Sequence, residues 1–578
     1  MANVNHSETY DVAVIGSGLH AGILGACLAR NGARVIILGP DSHPRFRIGE
    51  STTFYTQMMF RLLAERYKVP ELKWLASFEG VHSKITTAGG VKRSFGFIYH
   101  REDRPQDPRE AQMVRPPRMA FTQNHYFRQD IDSWLMAVAA KYGTEVRQQQ
   151  VITDVAIDDH GVVISRENQP PVYAKYVVDT DSASVLVTKF GLREDPCRFR
   201  VHSRSLYTHM MSVRPYDEIA PAQRYHNPGP WHAGTLHHLF HGGWMWVIPF
   251  DNHPRATNPL CSVGLQLDPR IHPEPDCPPD EEFRRFTARF PDLARQFERA
   301  RPAQEWVRTG RVQYSSERIS GHLWSAIGDA AGHVDQLFSG GLSIGVEIIN
   351  VLTQRLLDAI KENDFSVKRF SDAAELEQGM LDFNDDLCAN SYTAFQDFFL
   401  WDIWYRVWSL GQIMAHYQIN GLYTKYRSSG DYSCIAPLEN PWWQGRTLRE
   451  DASYGPVLRF LQEANKRFQD IERGEADPGG TSAYLMRQLR EGNFAPPIFR
   501  LGDPSLQWTD PQPYQIPEMV RWARKTAPAG LGKLALEGLF PFMRTRFGKG
   551  EFSPLEELKN VGAGMPVIRR RLQIPKPV

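Results

Sequence analysis

Residues 10–15 form a short apolar run, followed by a glycine turn, a helical pattern over residues 23–30 that Asn31-Gly32 closes, and a second apolar run at 33–38. Strands buried on both faces read as continuous apolar runs, so residues 10–39 predict a strand–helix–strand unit. Residues 124–142 read as a helix. Residues 151–163 alternate about Asp158-Asp159-His160-Gly161 and predict a hairpin, and 174–179 predict another buried strand. Stretches 205–213, 234–249 and 260–267 are rich in aromatic and β-branched residues. They predict a separate, mostly antiparallel sheet, with Pro-rich connections at 214–230 and 268–280. Residues 323–329 read as a strand and 343–361 as a long helix after Gly340-Gly341. Beyond about residue 365, aromatic-rich helical patterns dominate, as at 395–417 and 457–473, with Pro- and Gly-rich joints between them.

Composition narrows the classes. A chain of 578 residues exceeds the size of one core and suggests two to four domains. Hydrophobic content of 42% and charged content of 23% are those of a soluble globular protein. Lys+Arg is 67 against Asp+Glu 66, which gives no electrostatic reason to expect nucleic acid or an anionic membrane as partner. There is no apolar run of about 18 residues, so no membrane span is expected. The first apolar stretch is too short for a signal segment. Six scattered cysteines, with no CxxC pair, read as reduced thiols, hence a cytoplasmic location. His237, His238 and His241 lack a suitably spaced Cys or carboxylate, so no metal site is expected. Arg569-Arg570-Arg571 reads as solvated surface.

Several motifs carry chemistry. The turn Gly16-Ser17-Gly18-Leu19-His20-Ala21-Gly22 follows a strand and opens a helix, the context in which Gly16, Gly18, Ala21 and Gly22 let a pyrophosphate approach backbone N–H groups. Two departures stand against it. Gly39 occupies the place of the acid that usually holds a ribose, with Asp41 two residues on, and Asp179-Thr180-Asp181-Ser182 replaces the usual Asp-Ala-x-Gly of flavoproteins. His20 reads as a surface side chain of the first helical turn. Further on stand Gly49-Glu50-Ser51, Lys92 before Phe95-Gly96-Phe97, Phe127-Arg128-Gln129-Asp130, Trp244-Met245-Trp246-Val247-Ile248-Pro249, Gly328-Asp329 and Leu337-Phe338-Ser339-Gly340-Gly341-Leu342.

With these stretches the chain resembles the flavin-dependent halogenases that act on free phenolic compounds. The matching segments run from residue 10 to about residue 400 and weaken beyond. The resemblance implies an α/β + α fold: a three-layer Rossmann-like FAD module of the flavin hydroxylase type, an inserted antiparallel substrate sheet (roughly 80–120 and 200–310), and a helical C-terminal region. The expected division is 1–364 and 365–578, the second part covering the substrate site. Lys92 is the implied catalytic lysine, with Lys84 a weaker candidate. Trp244, Trp246, Ile248 and Pro249 form the barrier that keeps organic substrate from the flavin. Glu50, Ser51, Arg128 and Asp329 join the glycine turn in holding FAD, and Ser339, Gly340 and Gly341 hold the halide.

The implied reaction uses FADH2 from a separate flavin reductase, O2, and chloride or bromide. Hypohalous acid then passes to Lys92, which either hydrogen-bonds it as an ammonium or forms a haloamine as an amine. Phe338 stands where tryptophan halogenases carry a glutamate, which argues for a phenolic or polyketide aromatic rather than an indole. Two other readings stay open: an aromatic hydroxylase, which Gly328-Asp329 favours, and a flavin-binding protein without halogenation, which Gly39 and Ser182 favour. Oligomeric state stays open, and the length of the aromatic-rich C-terminal helices is compatible with a homodimer.

Overall fold

The computed structural model describes residues 9–115, 122–439 and 455–547. The strand–helix–strand unit forms as expected: Tyr10–Ile15, Leu19–Arg30 and Val35–Leu38. Tyr10–Ile15 lies between Val35–Leu38 and Gln169–Asp179, parallel to both. Trp324–Ala326 extends the sheet on one side and Glu145–Arg147 on the other, again in parallel. The hairpin Ile152–Asp158/Gly161–Arg166 joins it antiparallel through Gln169–Asp179. The central strands are almost wholly apolar and buried, as a parallel sheet covered on both faces requires.

A second sheet of nine strands holds Arg204–Met211, Cys261–Leu267, Gly243–Pro249, Thr235–Phe240, Phe95–Tyr99 and Ala111–Val114 as consecutive neighbours. It is mostly antiparallel; Thr235–Phe240 runs parallel to Phe95–Tyr99. The stretch read as 234–249 is a tight hairpin within this sheet. The C-terminal region is mainly helical among the described residues, but Trp508–Thr509 adds a parallel edge strand beside Ala111–Val114. Arg569 to Arg571 lie outside the described residues.

One sequence expectation is corrected. The helix read over 124–142 begins only at Arg128, and Gln123–His125 is a strand that pairs antiparallel with Gly90–Lys92. Tertiary pairing overrides the local helical pattern here. The resulting two-stranded ribbon stands apart from both sheets. It packs against the end of Gly243–Pro249, where a Cβ on Gly90 would lie 2.3 Å from the Pro249 carbonyl oxygen. Only a glycine permits that approach, so Gly90 fixes the distance between the lysine strand and the tryptophan strand.

Candidate active site

A cavity of about 600 Å³ runs from the glycine turn to the tryptophan strand. Gly16, Gly18, Arg45 to Ser51, Arg128, Thr180 to Ser182, Trp244, Trp246, Ile248, Asp329, Ser339 and Gly341 line it. The Asp329 carboxylate is an ion-pair partner of Arg47 (2.8 Å) and of His333 (3.3 Å). Burial pushes this carboxyl up, but the His333 hydrogen bond and the charges of Arg47 and His333 outweigh it and hold the group below its ordinary range. Arg128 is locked by Asp132 (2.8 and 2.9 Å) and donates to the carbonyls of Ile48 and Gly49, so it shapes the loop carrying Glu50 and Ser51. Glu50 accepts from His209 Nε2 at 3.0 Å. Ser339 has a left-handed backbone, φ 56°, at the entrance to helix Gly340–Glu362. Such strain in a non-glycine residue costs on the order of 1 kcal/mol and tends to collect at functional sites.

Lys92 is fully buried (0% exposed). Its Nζ donates to Ser51 Oγ (2.7 Å) and to the Thr52 carbonyl (2.6 Å), and it lies 3.3 Å from the centre of the Phe95 ring. Burial pushes the amine well below the usual lysine range. Its neighbours nevertheless form an acceptor shell: two oxygens and the negative face of an aromatic ring.

From Lys92 a directional hydrogen-bond chain leads back to the tryptophan strand. His125 Nδ1 faces the Pro249 carbonyl at 2.9 Å, so that nitrogen carries the proton and Nε2 is the acceptor. Burial, with the Lys92 charge adding to it, holds this imidazole down to about 3, and it is therefore neutral. Thr235 donates to His125 Nε2 (2.9 Å), Ser51 to Thr235 Oγ1 (2.8 Å), and Lys92 to Ser51. Every link has one permitted direction, and Lys92 is held as the donor at its end.

A second, largely apolar cavity of about 120 Å³ opens on the other side of Lys92. Thr53, Phe54, Phe95, Gln123, Trp408 and His416 are among its walls. Residues 51–53 thus pass through the partition: Ser51 lines the first cavity, the Thr52 carbonyl binds Lys92, and Thr53 lines the second. The partition is aromatic. Trp244 contacts Trp246 and His237 (5.6 Å each between ring centres), His237 stacks on Phe97 (4.6 Å), Phe97 meets Trp408 (5.8 Å), and Phe338 stacks on Trp408 (4.8 Å).

No family model matches the chain. It is 40% identical over 521 residues to the tetracycline 7-halogenase of Kitasatospora aureofaciens, covering 89% of this chain and 92% of that one. It is 38% identical over 543 residues to the monodechloroaminopyrrolnitrin halogenase PrnC of Pseudomonas fluorescens, covering 92% and 94%. The crystal structure of halogenase PltM in complex with phloroglucinol and FAD matches with a TM-score of 0.82 at 31% identity, covering 86% of this chain and 99% of that one. The chain belongs to the flavin-dependent halogenases. It is an enzyme with FAD as cofactor, and halogenation displaces the hydroxylase and non-halogenating readings.

The large cavity of the halogenase fits that cofactor. Ser17 Oγ and Trp244 Nε1, both on residues of its wall, are buried with no hydrogen-bond partner among the described residues. A Cβ on Gly341 would meet only open space, so backbone there can approach a ligand. Gly39 stands in place of an acid for a steric reason: a Cβ there would lie 2.5 Å from that of Ser17. The departing segment 179–182 still serves the wall through Thr180, Asp181 and Ser182. Buried Asp179 accepts from the backbone N–H groups of Asp181 and Leu186, both 3.1 Å, and so shapes the turn.

The sequence-derived set divides on this frame. Ala21, Gly22, Pro249 and Gly340 do not line the cavity. Gly22 packs where a Cβ would lie 2.8 Å from Leu135, Pro249 anchors His125 through its carbonyl, and Gly340 backs onto Asn384. Lys84 is exposed at the end of a short helix, which leaves Lys92 as the buried lysine. His20 is a correction. It is not a surface group: its ring fills a socket between Gly328 and Gly345, and burial lowers it to about 4. Phe338 packs in the partition rather than offering a polar group to either cavity. Among the described residues, no group of His, Cys, Asp or Glu could hold a metal ion, and no helix is long and apolar enough to cross a membrane. Sequence reasoning missed His125, Thr235, Trp408 and His416. The available signal was a polar residue recurring inside an aromatic stripe, as at His416.

Proposed function

We propose that this halogenase installs chloride or bromide on an electron-rich phenolic or polyketide aromatic, with Lys92 delivering the oxidant. One observation carries the reading: the Lys92 amine bonds to Ser51 of the large cavity while lying on Phe95, a wall of the apolar one. Bound FAD, reduced by a separate reductase, supplies hypohalous acid from O2 and halide. Ser339 and the backbone N–H groups of Gly340 and Gly341, at the start of a long helix, are suited to holding the halide. Trp244, Trp246 and the stack behind them exclude bulky organic molecules from the flavin side while hypohalous acid, a far smaller molecule, passes.

Lys92 then hydrogen-bonds the oxidant and aims its halogen at a ring carbon ortho or para to a hydroxyl. Helices beyond residue 365 close the substrate chamber, with Trp408 and His416 on its wall, and two copies of the chain assemble as a dimer. Two relatives support this substrate class: one is named a tetracycline 7-halogenase, and halogenase PltM was solved with phloroglucinol.

The test supplies a flavin reductase, FAD, O2, bromide and resorcinol, and reads product masses. A bromine isotope pair is expected, and a gain of one oxygen instead would overturn the reading. Lys92→Ala is expected to form no halogenated product while binding FAD as the parent does.

A further inference from the structure

The helix Phe398–Ser429 lays one face along the apolar cavity, with Trp408, Gln412 and His416 in line at four-residue spacing. Several polar groups on this wall are already engaged. Thr53 Oγ1 bonds Thr56 and Ser343 (2.9 and 3.1 Å), Asn420 donates to the Gly538 carbonyl, and Thr509 Oγ1 lies 3.4 Å from Tyr405. Two groups differ: Ser409 Oγ and His416 Nε2 are both sealed from water with no hydrogen-bond partner among the described residues, and of the two only His416 is a base. Its ring packs edge-on against Phe54, 4.8 Å between centres, so the imidazole is braced by an apolar neighbour. A buried ring nitrogen without a partner in an apolar chamber awaits one from a ligand. Burial alone holds this imidazole down to about 4, with no neighbouring charge contributing, so it is neutral and offers one donor and one acceptor nitrogen.

The chamber is small. A cavity of about 150 Å³ takes up benzene, so about 120 Å³ suits one aromatic ring with small substituents. We propose that His416 receives the hydroxyl of a single-ring phenol, accepting its O–H hydrogen bond and taking its proton as the ring is halogenated. This rests on the phenol-halogenating function proposed above.

The step balances without a further reagent. A ring carbon of the phenol forms its bond to halogen as the halogen–oxygen bond of hypohalous acid breaks, releasing hydroxide. The phenolic proton moves to His416, leaving a halogenated cyclohexadienone. Hydroxide removes the ring C–H proton as water, and His416 returns its proton to the oxygen. Phenol and hypohalous acid thereby give halophenol and water.

The experiment compares resorcinol with 1,3-dimethoxybenzene, which has no O–H to give, as competing substrates of the reductase-coupled enzyme with bromide. The preference of free hypobromous acid for the same pair is the baseline. The parent enzyme is expected to exceed that baseline by about 10²-fold, the lower range of general acid–base assistance. His416→Leu is expected to fall to the baseline. His416→Gln keeps a hydrogen bond but cannot carry the proton, so its KM for resorcinol is expected to hold while kcat falls. Bound FAD absorbance and near-UV circular dichroism report folding, and the Gln variant decides the matter where the Leu variant does not fold. Parent-like preference in a folded Leu variant, or parent-like kcat in the Gln variant, overturns the role of His416 and leaves halogenation itself standing. Absence of brominated product from the parent enzyme overturns both proposals.

Discussion

The two cavities on either side of Lys92 are built by different rules. The large one takes about half of its wall from short stretches, 16–20, 45–51, 180–182 and parts of 328–336, in which turns and helix starts present backbone to the ligand, and adds side chains of the second sheet such as Tyr207, Trp244 and Trp246 on the far side. The apolar one is assembled from single side chains on many elements: Phe54 and Phe95, Gln123, the face of helix Phe398–Ser429, and Thr509. A cofactor shared by a family is held by backbone geometry, which needs particular residues at particular spacings. A substrate is held by side chains, which can change one at a time while the scaffold persists. Lys92 belongs to neither set, because the ribbon that carries it is fixed by Gly90 against the tryptophan strand.

The sharpest test of that division is Lys92→Met, which keeps bulk and removes the amine. Halogenation is expected to fall by about 10²–10⁴-fold, the scale of a lost acid–base or electrostatic group. FAD affinity, measured by titration, is expected to stay within about twofold, since Lys92 meets the large cavity only through Ser51. Loss of flavin binding in this variant would mean that the two chambers are not separable.

The partition itself is the next target. Trp244 is 1% exposed and touches both Trp246 and His237. Trp244→Ala is expected to cost about 3–5 kcal/mol of stability, the usual range for emptying a large aromatic site, read as a lower Tm. With the wall thinned, excess phenol is expected to inhibit turnover by entering the flavin side. Unchanged substrate inhibition would place the barrier in Phe338 and Trp408 instead.

Outside the partition, helix Gly340–Glu362 carries Glu347, fully buried and hydrogen-bonded by Tyr55. Burial raises its carboxyl from 4.5 to about 8. The folded protein therefore keeps this proton where the unfolded chain has released it. The resulting stability is whole below about pH 4.5 and is lost as pH rises to about 8. Glu347→Gln stays neutral throughout. Its urea-unfolding free energy is expected to lose this decline, which amounts to a few kcal/mol at about 1.4 kcal/mol per pH unit. A parent-like slope in the variant would show that Glu347 ionises normally.

The same contrast explains what was legible in the sequence. The strand–helix–strand unit, the hairpin at 158–161 and the tryptophan strand follow from local pattern, and the structure has them. Residues 124–127 were not legible, because their helical pattern is local while their pairing with Gly90–Lys92 lies about thirty residues away in the chain. His20 was misread for a like reason: its socket is made of Gly328 and Gly345, far along the chain, and nothing near His20 announces it. Phe338 was recognised as a departure, but its stacking on Trp408 depends on a helix from the C-terminal region. The motif around Lys92 marked the lysine, while the atoms that orient it come from residues 51, 52, 125, 235 and 249.

That orienting chain gives the smallest expected effect. Thr235→Val keeps the shape of the side chain and removes the hydroxyl that links Ser51 to His125. Ser51 then has no fixed direction in which to give its own proton, and Lys92 loses its preference for donating to it. One buried hydrogen bond is worth about 1 kcal/mol net, so kcat is expected to fall about fivefold with KM for the phenol unchanged. Thr235→Ser restores the hydroxyl and is expected to restore most of the rate. The pair separates orientation from packing. If Val and Ser lower kcat alike, the methyl group matters rather than the chain, and the Lys92 amine is set by its contacts with Phe95 and the Thr52 carbonyl alone.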